Sequence, residues 1–495
     1  MIQIGLTKDA YEYEIRGLLM AFYPGNPIQA VKDVEEFCWR QKAEKWMEEC
    51  EMQDICLGFF YPEGQQVARI VLWEKGKACK EVTFSFLSPR DKETKTNLKN
   101  ALYTVLSEQT GKTLPWGTLT GIRPTKIPMG MLEEGKSDEE ILYHMEKELL
   151  CSQEKSQLSL DIAKRERKIL EQIDYENGYS LYIGIPFCPT TCLYCSFTSY
   201  PIVSWEKRMD EYIQALFREI EYTAEYFKNK KLNTIYFGGG TPTTLSANYL
   251  DLLLTKVEES FDLTFLQEYT VEAGRPDSVT RDKLEVLKRH PVTRISINPQ
   301  TMKDETLKII GRRHTVQQVK DVYSMAREMG FDNINMDLIL GLPNEGAEDV
   351  RHTMEELRIL KPDNITVHSL AIKRAARLNM FRDQYKDLRF ENSEEMMDIT
   401  AQYAREMGLL PYYLYRQKNM AGNLENVGYA LPGKAGIYNI LIMEEKQTIV
   451  ALGAGATTKA VWKDHIERAE NVKDVGIYIE QIEEMIARKK RLFGQ

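Results

Sequence analysis

Six short apolar or β-branched runs, 181–185, 234–237, 269–272, 294–298, 334–340 and 364–368, constrain what this chain can become. Amphipathic helical stretches separate them, at 205–228, 246–260, 279–288, 316–329 and 347–360. Parallel strands need long crossovers, usually helices, so this alternation predicts successive βα units. Six such units predict an α/β fold built on a partial (β/α)6 barrel, in which chemistry gathers at the C-terminal strand ends. Those ends carry CPTTCLYC, GGGTPT, EAGRP, INPQ, DLILGLP and HSLAIKR.

The flanks follow other rhythms. Residues 1–165 read as an α+β domain with strands at 2–6, 56–61, 67–73 and 81–86 and a helix at 91–108. A Gly-, Pro- and Thr-rich loop at 114–126 and helices at 137–150 and 154–174 complete it. From residue 378 a helix at 392–407 precedes a tyrosine-rich stretch at 411–416. Strands at 438–443 and 448–452, a GAGATTK turn and a helix at 480–488 follow. The expected domains are therefore 1–165, 166–377 as the barrel, and 378–495 as a smaller α+β region that covers the substrate. A net charge of −9 and a pI near 5.5 argue against a general nucleic-acid binder. No apolar run approaches the roughly 20 residues of a membrane span, and the acidic start lacks an apolar signal core, so a cytoplasmic address is expected.

Eight cysteines are present. Cys38, Cys50, Cys56, Cys79 and Cys151 are scattered, as buried or incidental thiols are in a reducing compartment. Cys188, Cys192 and Cys195 form CxxxCxxC directly after the first strand run. A structural zinc site would need a distant fourth ligand, and a redox CxxC would not use the third cysteine. A [4Fe–4S] cluster with one iron left open fits the spacing best. Ile185, Phe187, Leu193 and Phe197 are the apolar neighbours expected to shield it.

CxxxCxxC after the first strand of a partial barrel resembles the radical S-adenosylmethionine (SAM) superfamily. There the open iron chelates the amino and carboxylate groups of SAM, and one electron cleaves SAM to methionine and a 5′-deoxyadenosyl radical. YIGIPFCPTTCLYCSF, YFGGGTPT, RISINPQ, LKIIGRRH and MDLILGLP resemble, in order, the oxygen-independent coproporphyrinogen III oxidase family. WGTLTGIRPTK, VEAGRPD and HSLAIKR resemble its longer, coproporphyrinogen dehydrogenase-like subgroup.

The resemblance implies a [4Fe–4S] cluster on Cys188, Cys192 and Cys195 and a set of SAM contacts. Gly239 and Gly240 would line the methionyl group, and Thr241 would add a hydroxyl. Glu272 would accept hydrogen bonds from the ammonium or the ribose. Gln300, Arg312 and Asp337 would be further contacts, with Arg313 as the rival of Arg312. Ala371 would offer backbone, and Tyr182 and Tyr194 would lie against SAM. The implied reaction is oxidative decarboxylation of coproporphyrinogen III propionates to vinyls, consuming two SAM. A donor such as flavodoxin or ferredoxin would supply electrons. Lys373, Arg374, Arg377 and Arg275 are candidate propionate ligands, and the aromatics of 411–420 beside Arg416 and Gln417 a candidate lid. The chain departs from the family in three places: the N-terminal arm expected in established decarboxylating members is not recognisable, and two motifs differ. Gly184 stands where many members carry histidine, and the HNxxYW pattern of haem-chaperone relatives is absent, its nearest stretch being Tyr438-Asn439-Ile440-Leu441. The alternatives are a haem-binding or trafficking protein, and a radical SAM enzyme of haem breakdown or other tetrapyrrole modification.

Overall fold

The structure is a computed structural model. It describes every residue except 50, 52–53, 62–65, 89–90, 372–375, 381–384, 386, 418–423 and 495. The chain forms two compact units, residues 1–160 with 416–424, and residues 161–415 with 425–495.

The first unit holds a five-stranded sheet of β1 (Ile2–Leu6), β2 (Ile28–Lys32), β3 (Ile55–Phe60), β4 (Val67–Glu74) and β5 (Lys80–Ser85), in the order β2-β1-β3-β4-β5. β1 pairs in parallel with β2 and β3, and the β3-β4-β5 run is antiparallel. Helices Glu12–Phe22 and Lys92–Thr110 bury Leu18, Leu19, Leu98 and Leu102 against Ile4, Leu57 and Ile70. The second helix starts where Asp91 accepts a hydrogen bond from Thr94 N at 2.7 Å, the expected role of an aspartate N-cap.

The second unit holds the barrel. Its strands are β6 (Gly178–Ile185), β7 (Lys231–Gly239), β8 (Glu268–Glu272), β9 (Arg294–Ser296), β10 (Ile334–Leu340) and β11 (Asn364–Ser369). They pair in parallel, in sequence order, as the six βα units require. β9 is shorter than expected and ends at Ser296. The sheet continues past residue 377. β12 (Leu410–Tyr415) and β13 (Asn426–Ala430) extend it antiparallel beyond β11, while β14 (Thr448–Leu452) adds in parallel to β6, followed by β15 (Thr457–Val461) and β16 (Ile466–Glu470). Segments expected as a separate covering domain thus share one sheet with the barrel.

The stretch expected as a strand at 438–443 is a helix, Ile437–Glu444. Its buried residues Tyr438, Leu441 and Glu444 recur every third position, the spacing of one helix face, and Glu268 accepts a hydrogen bond from Ile437 N at its start. Among the described residues no helix is long and apolar enough to cross a membrane.

Candidate cluster and SAM site

A sheet covered by helices on its outer face and closed on itself should be apolar on both faces. Here only the outer face is. Leu181, Ile183, Ile235, Phe237, Val271, Ile295, Met336, Ile365 and Val367 are fully buried. The residues between them are polar, and they meet one another across the strands. Tyr182 stacks on Tyr236 with ring centroids 6.2 Å apart, and Tyr236 on Tyr438 at 4.5 Å. The Tyr236 hydroxyl donates to Glu272 at 2.5 Å. Register sets Thr270 beside Arg294, Glu272 beside Ser296 and Ile339 beside His368. Tyr182, Tyr236, Glu272, Asp337 and His368 are only half-buried, unlike their outward neighbours. The inner face is therefore a polar, partly open cradle.

The cysteine loop follows β6 and is sewn to the GGGTP turn after β7. Gly240 N donates to Ile185 O at 2.8 Å, and Thr241 N to Phe187 O at 2.7 Å. A Cβ on Gly240 would lie 2.6 Å from Phe187 O and 2.8 Å from Ile185 O, so only glycine permits this approach. Gly239 has φ +106°, and a Cβ there would point to within 3.2 Å of the Tyr182 hydroxyl. On its other side the loop is held by Leu193 N donating to Ile310 O at 2.9 Å. Cys188 and Cys192 are buried, Cys195 is half-buried, and all three are free thiols. Cys188 Sγ lies 3.5 Å from Thr241 Oγ1. Burial pushes the Cys188 thiol up to about 11, against the Thr241 contact, and also raises Cys195. Both thiols therefore favour the protonated form at neutral pH, and binding a metal there would have to expel the protons. Ile185, Phe187 and Leu193 shield the loop as expected, whereas Phe197 is 71% exposed and does not.

The remaining SAM candidates cluster at the strand ends. Gln300 takes φ +68°, a conformation rare outside glycine, fixed by its N–H donating to Asp337 O and by Ile339 N donating to Gln300 O, both at 3.0 Å. Asp337 accepts from Asn335 Nδ2 at 2.7 Å. Arg312 is buried, donates to Asn298 O at 2.9 Å and Gly274 O at 3.2 Å, and reaches the Tyr194 hydroxyl at 3.4 Å. Its neighbour Arg313 is exposed. Ala371 follows β11, half-buried. Burial raises Glu272 to about 7; Asp337 adds to the rise, while the Tyr236 hydrogen bond and Arg294 oppose it.

Gly184 has a structural reason. The backbone of 452–453 runs against it: a Cβ on Gly184 would meet Leu452 O at 3.2 Å, and one on Gly453 would meet Gly184 O at 2.2 Å. β14 occupies the space a larger residue would need.

The substrate-side candidates fare differently. Lys373 and Arg374 lie outside the described residues, as do 418–420 of the lid stretch, and Arg377 is exposed. Arg275 is only 3% exposed and pairs with Asp277 through both oxygens, at 3.0 and 2.7 Å, so it is no free propionate ligand. Tyr412 and Tyr413 are buried in the sheet face, as core residues. Arg416 is buried and donates to Leu119 O at 2.6 Å.

Several cradle residues were not singled out from sequence: Tyr236, Glu268, Arg294, Ser296 and His368. His368 sits 3.2 Å from the Tyr415 hydroxyl and 3.9 Å from Asp337. The signal was present. EYTVE, RIS and NITVHS alternate polar with apolar residues, a period-two pattern that a parallel strand with two apolar faces would not show.

The cradle fits the implied groups. Three thiols on one loop, two of them buried and one half-buried, suit an iron–sulfur cluster. Arg312 Nε and Ser296 Oγ are buried without partners among the described residues, as donors left for a polar ligand would be. Among the described residues no three His, Cys, Asp or Glu side chains are arranged for a single metal ion; the thiolates of a cluster sit on separate irons.

Comparison with known proteins agrees. Residues 182–357 match the radical SAM superfamily model. The chain is 43% identical to the oxygen-independent coproporphyrinogen-III oxidase-like protein HemZ of Bacillus subtilis, over 85% of this chain and 86% of that one. It is 34% identical to the haem chaperone HemW of Lactococcus lactis, over 56% of this chain and 69% of that one. In fold it resembles the coproporphyrinogen III oxidase HemN of Escherichia coli, described as a radical SAM enzyme, with a TM-score of 0.51 and 22% identity over 65% of this chain and 73% of that one.

Proposed function

The chain belongs to the oxygen-independent coproporphyrinogen-III oxidase-like family of radical SAM proteins, whose cofactors are a [4Fe–4S] cluster and SAM, and from that membership we propose that it oxidatively decarboxylates coproporphyrinogen III propionates to vinyls. The observation that carries this reading is the half-exposed polar ring at the strand ends around a loop with three free thiols. Cluster and SAM together supply one-electron chemistry that takes hydrogen from an unactivated carbon.

In this reading Cys188, Cys192 and Cys195 would hold the cluster and leave one iron for the SAM amino acid. Gly239 and Gly240 would bring backbone polar groups to the methionyl moiety, and the Thr241 hydroxyl, 3.5 Å from Cys188 Sγ, would add a contact. Glu272 accepts from the ammonium or ribose, and Asp337 from a hydroxyl. Gln300, Arg312 and the Ala371 backbone complete the cradle. Tyr182 and Tyr194 close it, and buried Ile185, Phe187 and Leu193 exclude water. The open end of the cradle would admit the substrate's carbon to SAM, and an electron donor of the flavodoxin or ferredoxin class would supply the electron. A cytoplasmic address suits the seven described free thiols.

Anaerobic incubation with SAM, a reductant and coproporphyrinogen III tests the reading. Formation of 5′-deoxyadenosine with loss of CO2 is expected. The haem-chaperone relative favours one rival, a haem carrier, which would bind haem tightly without turning over coproporphyrinogen. SAM cleavage dependent on haem would instead point to haem breakdown.

A second expectation concerns pH. The Glu272 carboxyl, raised to about 7, accepts more strongly from a SAM N–H when ionised than when protonated. SAM affinity should fall about tenfold per pH unit below 7 and level off above about 8, because a proton competes with the ligand. Titrating SAM into reconstituted protein from pH 5.5 to 8.5 measures this. Glu272→Gln should bind more weakly and lose the slope, and an identical slope in the variant would remove Glu272 from the site.

A further inference from the structure

Besides Arg312, a second guanidinium lies against the cysteine loop. Arg275 follows β8 and is 3% exposed. Its Nε and Nη2 are taken by the two oxygens of Asp277, at 3.0 and 2.7 Å. That pairing fixes the fork in one orientation. Nη1 is thereby directed at the loop, where it donates to Thr190 O at 2.9 Å and Thr190 Oγ1 at 2.8 Å and lies 4.0 Å from Cys192 Sγ. Thr190 Oγ1 in turn donates to Gly311 O at 2.9 Å. Asp277 is backed by the fully buried ring of His314, whose Nδ1 lies 3.7 Å away. Burial would raise the Asp277 carboxyl, but His314 and Arg275 outweigh it and hold it well below the usual range. Asp277 is thus the carboxylate that holds the Arg275 fork in place.

We propose that Arg275 is a positioning residue for the iron–sulfur cluster: it pins the cysteine loop through Thr190 and sets a fixed positive charge beside Cys192. Two consequences follow from elementary electrostatics. Thiolates and cluster together are a buried anion, whose burial is costly without a compensating cation. Reduction adds a further negative charge, and net charge around the sulfurs is among the determinants of cluster potential. Arg275 therefore favours both retention of the cluster and its reduced state, and Asp277 orients it while partly offsetting that charge. A mere mechanical staple would affect retention but would not give shifts of opposite sign when the cation and its anion are removed in turn.

The proposal rests on the three cysteines holding the cluster. Wild-type protein that takes up no four-iron cluster would overturn that reading, whereas a wild-type cluster with an indifferent Arg275→Gln variant overturns only this one. The experiment is anaerobic reconstitution without SAM, followed by an EPR-monitored redox titration and by iron release to a chelator. Arg275→Gln should lower the ratio of reduced to oxidised cluster at a fixed potential about tenfold, a downward shift of 59 mV for one electron, and should release iron at least tenfold faster. Asp277→Asn should also release iron faster, yet shift the potential upward. Shifts of the same sign in both variants, or wild-type potential and release in Arg275→Gln, overturn the proposal. Should Arg275→Gln fail to fold, Arg275→Lys serves in its place. It keeps the charge and loses the fork, so faster iron release with a near wild-type potential is expected, and a wild-type release rate overturns the assignment.

Discussion

Cys192→Ala is expected to abolish the four-iron cluster and to drop 5′-deoxyadenosine formation by roughly a thousandfold or more, toward the uncatalysed level. The thiol is buried at the centre of its loop, 4.0 Å from Arg275 Nη1. In that assignment alanine removes one of three proposed cluster ligands and leaves two buried guanidiniums, those of Arg275 and Arg312, facing no sulfur at that position. The measurement is iron and sulfide per chain together with 5′-deoxyadenosine yield under anaerobic reduction. Cys151→Ala is the matched control. Cys151 is equally buried, its thiol donates to Trp116 O at 3.3 Å, and burial pushes it up to about 12, so it is an inert thiol in the other unit. Its alanine variant should keep cluster and SAM cleavage. A Cys192→Ala protein that keeps both would end the cluster assignment.

That contrast between two buried cysteines was legible in the sequence because spacing carries chemistry. CxxxCxxC and GGGTP are local patterns, and their positions follow from the βα alternation that places each at a strand end. What the sequence hid is long-range. Arg275 reads as a free cation three residues from Glu272; only folding brings Thr190 under its fork. Phe197 reads as a shield because it is apolar, yet the loop turns it outward. Gly184 reads as a missing histidine, and its cause, the backbone of 452–453, is contributed from more than 250 residues away. Residues 438–443 read as a strand because the run is apolar and short, a case in which period cannot separate strand from helix. The contact of Ile437 N with Glu268, invisible locally, accompanies the helical choice. The polar inner face was written in the alternation of EYTVE and NITVHS, but such alternation ordinarily signals a half-exposed strand, and it identifies a cradle only once the polar residues of successive strands are seen to share one face.

The largest stability effect is expected at Glu219, a carboxylate with no part in the cradle. Glu219 is fully buried on the helix Met209–Phe227. It accepts from Gly453 N at 2.8 Å, Asn471 Nδ2 at 2.7 Å, the Tyr478 hydroxyl at 2.7 Å and Lys489 Nζ, so its lone pairs are occupied. Lys489 is 1% exposed and has Asn471 Oδ1, at 3.0 Å, as a further partner. Removing one member of such a pair strands the other charge away from water, which costs about 3–5 kcal/mol. Glu219→Ala should lower unfolding stability by that amount in anaerobic denaturant titrations. The loss should also reach the site. Gly453 packs directly on Gly184, whose carbonyl accepts from the Tyr212 hydroxyl at 2.8 Å, and Gly184 lies four residues before Cys188. Iron content after reconstitution should therefore fall along with stability. Glu219→Gln combined with Lys489→Met removes both charges at similar volume and should recover most of the loss, because a buried ion pair contributes little over a neutral replacement. Were Glu219→Ala to unfold at the wild-type denaturant midpoint, the network would carry no such energy. Were the double variant no better than Glu219→Ala, the cost would belong to the hydrogen bonds to Gly453 and Tyr478 and not to the stranded charge.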